Sequence, residues 1–340
     1  MLRFGLIGVG NTVAIAKNHA QALAGRADAR ITALLSRTRS HTLAFAQAYC
    51  PDAKICDTLE ELLALSDCVL ICSPNATHAA YALAALRAGK HVLCEKPLGG
   101  TDEELEQLQR ESERCKTVNA AAYNYRFLDA FEKLYARIQS GEFGRILWYA
   151  EQKGGNRLAN AGLPLEWRME RGTGGSTMDF CSHMLCHALH CTGLQPQQLP
   201  LADAALRRYI PQRRDAQGVL RPVGSEDYSA LRLTGENDLS ITLLASRVGV
   251  PCEQLQIVGT KAMACYNSLE STVFRIWHKD AVDSFGEAEQ ITCDASIQRS
   301  YVRQMDEFIR CVKAGRAMHP TLAEGCQILR LLQQAVKALD

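Results

Sequence analysis

The sequence begins with the stretch that decides its fold: residues 3–13 read RFGLIGVGNTV. The apolar run that ends at Ile7 predicts a buried strand, and a helical pattern begins after Gly10. Gly8 and Gly10 lie between the two, where a tight turn and a close approach of main chain to a ligand favour glycine. A helix that begins directly after such a turn offers unpaired N–H groups and a partial positive charge to phosphate. The stretch therefore predicts a dinucleotide-binding βαβ unit, although Val13 stands where the third glycine of G-x-G-x-x-G usually lies.

The next hundred residues repeat this alternation of short strands and helices. Apolar runs predict further strands at residues 30–36, 68–73 and 90–94. Helical patterns separate them, and Thr101 provides an N-terminal cap for a helix over residues 102–115. Such alternation is typical of a parallel sheet covered by helices.

After residue 125 the pattern changes, because strands dominate and the crossover helices disappear. Helices are expected only at about 180–192, 300–314 and 322–339. The strands of this half are predicted at residues 145–153, 228–233, 239–246, 254–258 and 273–278. We therefore predict an α/β protein of two domains, a doubly wound Rossmann domain over 1–122 and an α+β domain over 123–340. The second would have an open, mainly antiparallel sheet, and its C-terminal helices would pack back on the first domain.

Composition limits the kind of partner. The 340 residues include 38 Lys and Arg against 37 Asp and Glu, so we expect neither nucleic acid nor an anionic membrane as a partner. No apolar run approaches the ~20 residues of a membrane span, and the first one is too short for a signal peptide. The fourteen cysteines are spread widely, and we expect them to be reduced thiols in a cytoplasmic protein. The partner is expected to be a small molecule.

The end of the second predicted strand bears on cofactor choice. Ser36, Arg37 and Thr38 stand where an NAD-preferring site usually places an acidic residue for the ribose hydroxyl. A hydroxyl and a guanidinium suit a 2′-phosphate instead, because arginine forms forked, charge-assisted contacts with it. We therefore expect NADP(H) to be preferred, with NAD(H) possible; the alternative is that Arg37 is only a solvated loop residue.

Four further motifs carry a resemblance to a known family. Residues 88–98 read AGKHVLCEKPL, and residues 124–127, 166–168 and 174–183 read NYRF, EWR and GGSTMDFCSH. With these motifs the chain resembles the glucose-fructose oxidoreductase, inositol dehydrogenase and MocA (Gfo/Idh/MocA) family of NAD(P)-dependent oxidoreductases. The resemblance implies a hydride transfer to or from a hydroxyl or keto group of a carbohydrate-like or polyol-like substrate. It also implies homo-oligomers, dimers or tetramers, formed through the sheet of the second domain.

The resemblance also assigns roles to positions. Lys96 matches the family lysine that contacts substrate oxygen and nicotinamide, and Asp179 and His183 match the acidic residue and histidine of the second domain. Pro97 would hold its turn through a cis peptide bond. The residues expected to bind the cofactor are Gly8, Gly10, Asn11, Thr12, Val13, Ser36, Arg37, Ser73, Asn75, His78, Glu95 and Lys96. Those expected to bind substrate are Lys96, Tyr123, Arg126, Trp167, Arg168, Asp179, His183 and His187.

The three catalytic candidates make chemical sense without the family. Oxidation of a carbinol needs a base for the hydroxyl proton, and the imidazole of His183 titrates near neutrality. Asp179 precedes it by four residues, so in a helix both side chains share one face. Lys96 can stabilise the developing alkoxide.

Two departures leave alternatives open. Cys181 and Cys186 replace a glycine and an acidic residue of the family pattern, which leaves the polyol specificity undecided. The Cys and His residues at 181–191 could suggest zinc, but paired C-x-x-C elements are missing and we expect no metal. The alternative functions are a cofactor-retaining glycosidase, which oxidises transiently and eliminates, and a non-catalytic dinucleotide sensor.

Overall fold

The computed structural model describes residues 1–10, 15–171, 174–269, 272–279 and 287–337. Its strands are β1 (Leu2–Ile7), β2 (Ala29–Leu35), β3 (Lys54–Ile55), β4 (Cys68–Ile71), β5 (His91–Glu95), β6 (Asn119–Ala122), β7 (Ile146–Gly154), β8 (Leu201–Arg207), β9 (Gln212–Arg214), β10 (Leu220–Pro222), β11 (Tyr228–Thr234), β12 (Ser240–Ser246), β13 (Cys252–Gly259), β14 (Ala262–Asn267), β15 (Val273–His278) and β16 (Glu289–Thr292). Its helices are α1 (Ile15–Leu23), α2 (Arg39–Tyr49), α3 (Leu59–Ala64), α4 (His78–Arg87), α5 (Asp102–Arg114), α6 (Asp129–Gln139), α7 (Ser182–Thr192), α8 (Ile297–Ala314) and α9 (Leu322–Val336).

The chain forms two compact units. The first combines Met1–Phe127 with Ser296–Cys326, and the second combines Leu128–Ala295 with Gln327–Asp340. This division follows contacts rather than chain order, whereas the domains expected at 1–122 and 123–340 were continuous in sequence. Segment 296–326 joins the first unit because α8 packs on α1 within its core.

The first unit is built on a parallel sheet of six strands in the order β3-β2-β1-β4-β5-β6. The order reverses between β1 and β4, and ligands of open α/β sheets bind at such a reversal, beside the carboxyl ends of the strands. Phe4 and Leu6 of β1 are fully buried with Met305 and Phe308 of α8 in one core cluster. Burying each such side chain stabilises the folded state by about 1.5–3 kcal/mol.

Local signals explain where the helices begin. Thr101 Oγ1 accepts a hydrogen bond from Glu104 N at 3.2 Å, and Glu104 Oε2 accepts one from Thr101 N at 2.8 Å. This capping box satisfies two main-chain donors that a helix start leaves unpaired, and it confirms the predicted cap of α5. Helix α8 begins after a serine cap at Ser296 and ends at Gly315, whose φ of 62° lies in the left-handed region.

The second unit is built on an eight-stranded sheet in the order β16-β15-β14-β13-β7-β12-β11-β8. All neighbours are antiparallel except β7 and β12, which run parallel, so the sheet is mixed. Strands β9 and β10 form a separate antiparallel pair. Tyr149, Glu151 and Lys153 of β7 alternate onto one buried face, and α7 packs against this strand.

The predicted fold class is confirmed, but the sequence patterns missed several elements of the second unit. Helix α6 and strands β8, β9, β10, β14 and β16 were not predicted. Strands β8, β9, β10 and β16 are short or carry polar residues on both faces, so their alternation is weak; β14 is mostly apolar, and its pattern does not explain why it was missed. Within the part of the chain that the structure describes, no helix combines the length and apolarity needed to cross a membrane.

Candidate functional site

The first turn of the parallel sheet is packed tightly against its neighbour. Gly8 has a φ of 93°, and a Cβ added there would lie 2.5 Å from Ser73 Cα and 2.6 Å from Cys72 C. Gly8 N donates a hydrogen bond to Leu35 O at 2.9 Å, which fixes the turn beside the end of β2 as well. Only glycine meets both demands, and Gly10 follows at the end of the described turn. The predicted residues Asn11, Thr12 and Val13 lie outside the described residues.

His78 links two of the turns that carry predicted cofactor residues. Its Nε2 lies 2.7 Å from Ser73 O after β4, and its Nδ1 lies 2.9 Å from Pro97 O after β5. The side chain is 1% exposed, so neither nitrogen reaches solvent. Burial lowers the pKa of His78, while the two carbonyl contacts act in the opposite direction. Because a neutral imidazole carries one N–H, His78 donates a hydrogen bond to one of these carbonyls and lies against the other, between the two turns.

The turn after β5 holds the predicted lysine. Glu95 Oε1 lies 2.7 Å from Nε2 of His19 in α1, and Glu95 Oε2 accepts a hydrogen bond from Lys96 N at 3.2 Å. His19 and Glu95 are both buried, and Lys96 is half-buried. The Lys96–Pro97 peptide bond is cis, which confirms that prediction. The carboxylate of Glu95 thus fixes the main chain from which Lys96 projects.

Asn75 joins the same edge of the sheet. A Cβ added to Gly99 would lie 2.6 Å from Asn75 O, so the chain after Pro97 passes directly beside the turn of Asn75. The first unit therefore brings together Gly8, Ser73, Asn75, His78, Glu95 and Lys96 from three separate strand ends.

The turn after β2 carries two arginines, of which Arg39 pairs with a carboxylate and Arg37 with none that the structure describes. Arg37 is exposed, and among the described residues no carboxylate lies within ion-pair distance of it. Arg39 is held by Asp57, with Nη1 2.5 Å from Oδ1. Ser36 is half-buried at the strand end. Of these side chains, Arg37 is the cation available to an anionic ligand.

Two predicted substrate residues follow β6. Tyr123 is 1% exposed, so its side chain belongs to the interior of the first unit. Arg126 is half-buried, with its guanidinium carbon 5.6 Å from the ring centroid of Phe127. Neither position is accessible to the same degree as Arg37.

In the second unit the predicted catalytic pair lies at the start of a buried helix. Thr177–Cys181 forms a π-helical turn that leads directly into α7. Asp179 is half-buried in this turn, and His183 lies in the first turn of α7 with 4% of its surface exposed. Ser182 Oγ donates to Met178 O at 2.7 Å within the wide turn. Turns of this kind are frequent at functional sites.

A buried carboxylate caps this helix start. Glu226 Oε1 accepts a hydrogen bond from Thr177 N at 2.8 Å, and Glu226 O accepts one from Ser176 N at 3.1 Å. Gly175 has a φ of 88°, and a Cβ there would lie 2.6 Å from Glu226 Cδ. Burial raises the pKa of Glu226, while the hydrogen bonds from Thr177 and the charge of nearby Arg247 act in the opposite direction.

Guanidinium groups approach Asp179 from two other segments. Arg247 Nη2 lies 3.5 Å from Asp179 Oδ2, and the Arg247 side chain is 5% exposed. Arg168 interacts electrostatically with both Asp179 and Arg247. The pKa of Arg168 is lowered by burial and then by the neighbouring cation Arg157. The backbone of Trp167, the remaining predicted residue here, begins the short 3₁₀ turn that contains Arg168.

His187 is directed into the sheet rather than toward solvent. Its Nδ1 lies 3.1 Å from Glu151 Oε1 on β7, and its ring stacks on Phe131 with centroids 3.7 Å apart. Tyr149 OH donates a hydrogen bond to Glu151 Oε2 at 2.6 Å. The pKa of Tyr149 is raised mainly by burial and also by the charge of Glu151. His187, predicted to bind substrate, thus belongs to a buried hydrogen-bonded group.

The Cys and His residues at 181–191 are not brought together as metal ligands. Among the described residues, the set of three potential ligands whose atoms lie within 4.8 Å of one another is Glu142, His278 and Glu289 on the surface of the second unit. Arg137 pairs with both of these carboxylates. A cation is therefore already present at this set.

The sequence analysis missed His19, Glu151, Glu226 and Arg247. Glu151 could have been found, because the alternation of β7 places this charged residue on the same face as Tyr149 and Lys153. His19 lies four residues into the described part of α1 and gives no such signal. Glu226 and Arg247 come from loops far from residue 179, so only the folded chain connects them to it.

Comparison with known proteins agrees with these two units. The model of the oxidoreductase family with an NAD-binding Rossmann fold matches residues 2–123, and the GFO/IDH/MocA C-terminal domain matches residues 131–265. The chain is 33% identical to levoglucosan dehydrogenase of Pseudarthrobacter phenanthrenivorans over 159 residues, 44% of this chain and 40% of that protein. It is 24% identical to scyllo-inositol 2-dehydrogenase (NADP(+)) IolW of Bacillus subtilis over 308 residues, 85% of this chain and 81% of that protein.

A solved structure supports the fold. Levoglucosan dehydrogenase in complex with NADH and L-sorbose superposes with a TM-score of 0.87 at 22% identity, over 99% of this chain and 97% of that chain. At this identity the likeness concerns the fold alone.

Proposed function

Because the chain belongs to the GFO/IDH/MocA oxidoreductase family, we propose that it transfers a hydride between NADP(H) and a hydroxyl or keto group of a sugar-like or polyol-like molecule. The observation that carries the proposal is the turn around Lys96. There Glu95 Oε2 accepts a hydrogen bond from Lys96 N at the carboxyl end of β5, and His78 lies between this turn and the turn after β4, which packs on Gly8. This edge fits a dinucleotide, since Gly8 leaves no room for a side chain between two turns. A bound nicotinamide would supply the hydride donor or acceptor.

Each protein group has one task in the proposed reaction. His183 takes the proton of the substrate hydroxyl during oxidation and returns it during reduction. Lys96 donates a hydrogen bond to the oxygen that becomes alkoxide-like, which stabilises the developing charge. Asp179, as a carboxylate, accepts hydrogen bonds from neighbouring substrate hydroxyls and orients the sugar ring. Nearly every residue of α7 is buried, which holds His183 in a fixed place on the helix.

The substrate class can be tested directly. Purified protein is mixed with NADP+ or NAD+ and with myo-inositol, scyllo-inositol, glucose, glucose 6-phosphate or levoglucosan, and absorbance of the reduced nicotinamide is followed. We expect reduction with at least one of them. Product analysis with catalytic cofactor separates a dehydrogenase from a cofactor-retaining glycosidase, which consumes no stoichiometric NADP+. Cofactor binding without any turnover of hydroxyl or keto substrates would favour the non-catalytic sensor.

We further propose a preference for NADP(H) over NAD(H). Its support is Arg37, which is exposed at the end of β2 and has no carboxylate nearby among the described residues. Calorimetry should give tighter binding of NADP+, and Arg37→Asp should reverse the order by roughly tenfold or more, since a lost charge-assisted contact and a new repulsion add. Arg39→Ala is the matched control, because Arg39 is already held by Asp57. Equal or tighter binding of NAD+ by the unmodified protein would exclude the preference.

We also propose a cytoplasmic homo-oligomer, a dimer or tetramer formed through the eight-stranded sheet. All fourteen cysteines keep their thiols, which suits a reducing compartment. Trp148 is 38% exposed on the face of β7 opposite to Tyr149 and Glu151, and large exposed apolar side chains often mark interfaces. Light scattering should give a smaller mass for Trp148→Glu than for Tyr209→Glu, a 60% exposed aromatic outside the sheet.

A further inference from the structure

The carboxylate of Asp179 lies among charges that reach it from several parts of the second unit. Arg247 follows β12, Arg168 precedes the π-helical turn, and Glu226 precedes β11. His183 follows Asp179 on the same helix, and the buried thiol of Cys181 interacts with Glu226. Arg157 and Glu166 also act on Arg168, and Glu166 Oε2 lies 3.7 Å from Arg168 Nη1.

Arg247 is held more firmly than a surface arginine. Its main-chain N donates to Asp227 O at 2.8 Å, and its main-chain O accepts from Leu158 N at 3.2 Å. The side chain is 5% exposed, and its Nη2 reaches Asp179 Oδ2 at 3.5 Å. Asp179 itself is 36% exposed. One side of this carboxylate therefore reaches solvent while the other faces a buried cation.

The same guanidinium also acts on Glu226, which caps the start of the helix. Arg247 is thus a buried cation that acts on two carboxylates, Asp179 and Glu226, and the half-buried Arg168 also acts on Asp179. In a partly desolvated site, carboxylates without such a cation favour protonation, because each charge destabilises the other. A protonated Asp179 would lose acceptor capacity and could donate a hydrogen bond instead.

We propose that Arg247 is a positioning residue of the oxidoreductase site, holding Asp179 as a carboxylate that accepts hydrogen bonds from substrate hydroxyls. The role rests on the proposed function, and it leaves proton transfer to His183. Arg247 acts through Asp179 and Glu226 and does not itself need to touch the substrate.

Carboxyl titration tests this without any substrate. Protein carrying ¹³Cγ-labelled aspartate is titrated by NMR, and the Asp179 signal is identified by its loss in Asp179→Asn. In Arg247→Met we expect the titration midpoint of Asp179 to rise by about one pH unit or more, because a neighbouring opposite charge typically shifts a carboxyl by ~1–3 units. Arg247→Lys, which keeps the charge, should remain closer to the unmodified protein.

A second substitution separates charge from packing. Glu226→Gln keeps an oxygen for Thr177 N but removes one carboxylate, so in the Arg247→Met background it should restore at least half of the shift. A role of Arg247 in packing alone predicts no such restoration. If Arg247→Met does not fold, Arg247→Gln is titrated in its place, because it also removes the charge and keeps a polar side chain. An unchanged midpoint of Asp179 in Arg247→Met, or in Arg247→Gln where only that variant folds, overturns the proposal.

Kinetics then connect the charge to substrate binding. With the sugar or inositol that the screen above identifies, at about pH 6, Arg247→Met should raise KM roughly tenfold while kcat changes less than about threefold, because uniform binding is lost. Arg247→Lys and the double variant should recover most of this KM. If no sugar is turned over, the proposed function fails, whereas the carboxyl titration still decides the role of Arg247.

Discussion

The two candidate regions are built from different kinds of atoms. Around Gly8, Ser73 and Pro97 the contacts are made largely by the main chain, and His78 joins two backbone carbonyls. Around Asp179 the contacts are made by charged side chains, with Glu226 at the helix start and Arg247 behind the carboxylate. Main-chain contacts do not depend on particular side chains, so they suit a dinucleotide that proteins of different sequence bind in the same way. Charged side chains can vary between relatives, so the second region is where we expect specificity and chemistry to be set.

We expect the largest effects from the two side chains proposed to act on the reacting atoms, His183 in the second region and Lys96 in the turn after β5. His183→Asn should lower kcat by ~100- to 10,000-fold, the usual cost of losing a general acid or base, with cofactor affinity nearly unchanged. Lys96→Met should cost at least comparably, because the developing alkoxide loses its hydrogen-bond donor. Stopped-flow or steady-state absorbance with the identified substrate measures both.

His190→Asn is the control for the helix. His190 lies on α7 and stacks on Tyr135 with ring centroids 3.4 Å apart, so its loss perturbs the helix away from the reacting groups. We expect its kcat to stay within about threefold of the unmodified protein, the scale of an indirect effect. Wild-type turnover in His183→Asn would place the base elsewhere, and His187 would be the next candidate.

In the first region, we expect cofactor binding to weaken when the main chain is displaced. Gly8→Ala places a Cβ against Ser73 and Cys72 at a φ of 93°, so the two turns must separate. Strain of about 1–3 kcal/mol at such a position corresponds to roughly 5- to 150-fold in cofactor affinity if binding restores the original turn. Titration of nicotinamide fluorescence measures the loss.

Gly25→Ala separates backbone strain from the close approach. Gly25 also has a positive φ, 70°, but no heavy atom of the described residues lies within 4 Å of an added Cβ. This variant should lose some thermal stability and bind the cofactor normally. Equal cofactor affinity in Gly8→Ala and the unmodified protein would show that the packing of the two turns does not matter for binding.

The same contrast explains what could be predicted from the sequence. The glycine turn and the cap at Thr101 were predicted from residue spacing within a few positions, and the cis bond before Pro97 from the family resemblance. The parallel pairing of β7 with β12 was not predicted, because it joins segments about ninety residues apart. A residue pattern indicates which face of a strand is buried but not which strand pairs with it.

The candidate site divides in the same way. Lys96, Asp179 and His183 were identified by motif, and their catalytic roles stay a prediction. Glu226 and Arg247 could not be found, because each is an ordinary charged residue in a loop, and its relation to Asp179 arises only on folding. Glu151 is intermediate, since its strand pattern placed it on the buried face but could not name His187 as its partner.

A smaller effect is expected from pH at the His78 link. Burial lowers the pKa of His78, so between that lowered value and the ~6.5 of an unfolded chain the unfolded state binds more protons. Its contribution to stability is therefore present above about pH 6.5 and is lost as pH falls. The melting temperature of the unmodified protein should exceed that of His78→Gln by more at about pH 7.5 than at about pH 5.5. A difference independent of pH would contradict this link.

The smallest effect should have the opposite sign and comes from the surface of the first unit. Glu324, with Oε2 2.9 Å from His319 Nδ1, raises the pKa of His319 above its usual value. The contribution of His319 to folding stability is therefore fully present below the unfolded-state pKa of about 6.5. It is lost as pH rises through the raised pKa of the folded state. The side chain is 58% exposed, so solvent screening limits the pair to at most about 1 kcal/mol.

The stability advantage of the unmodified protein over His319→Asn should therefore shrink between about pH 6.5 and pH 8, as measured by chemical denaturation. In the Glu324→Gln background the same substitution should show little of this pH dependence, because the carboxylate that raises the pKa is gone; a dependence that persists there would assign it to another group.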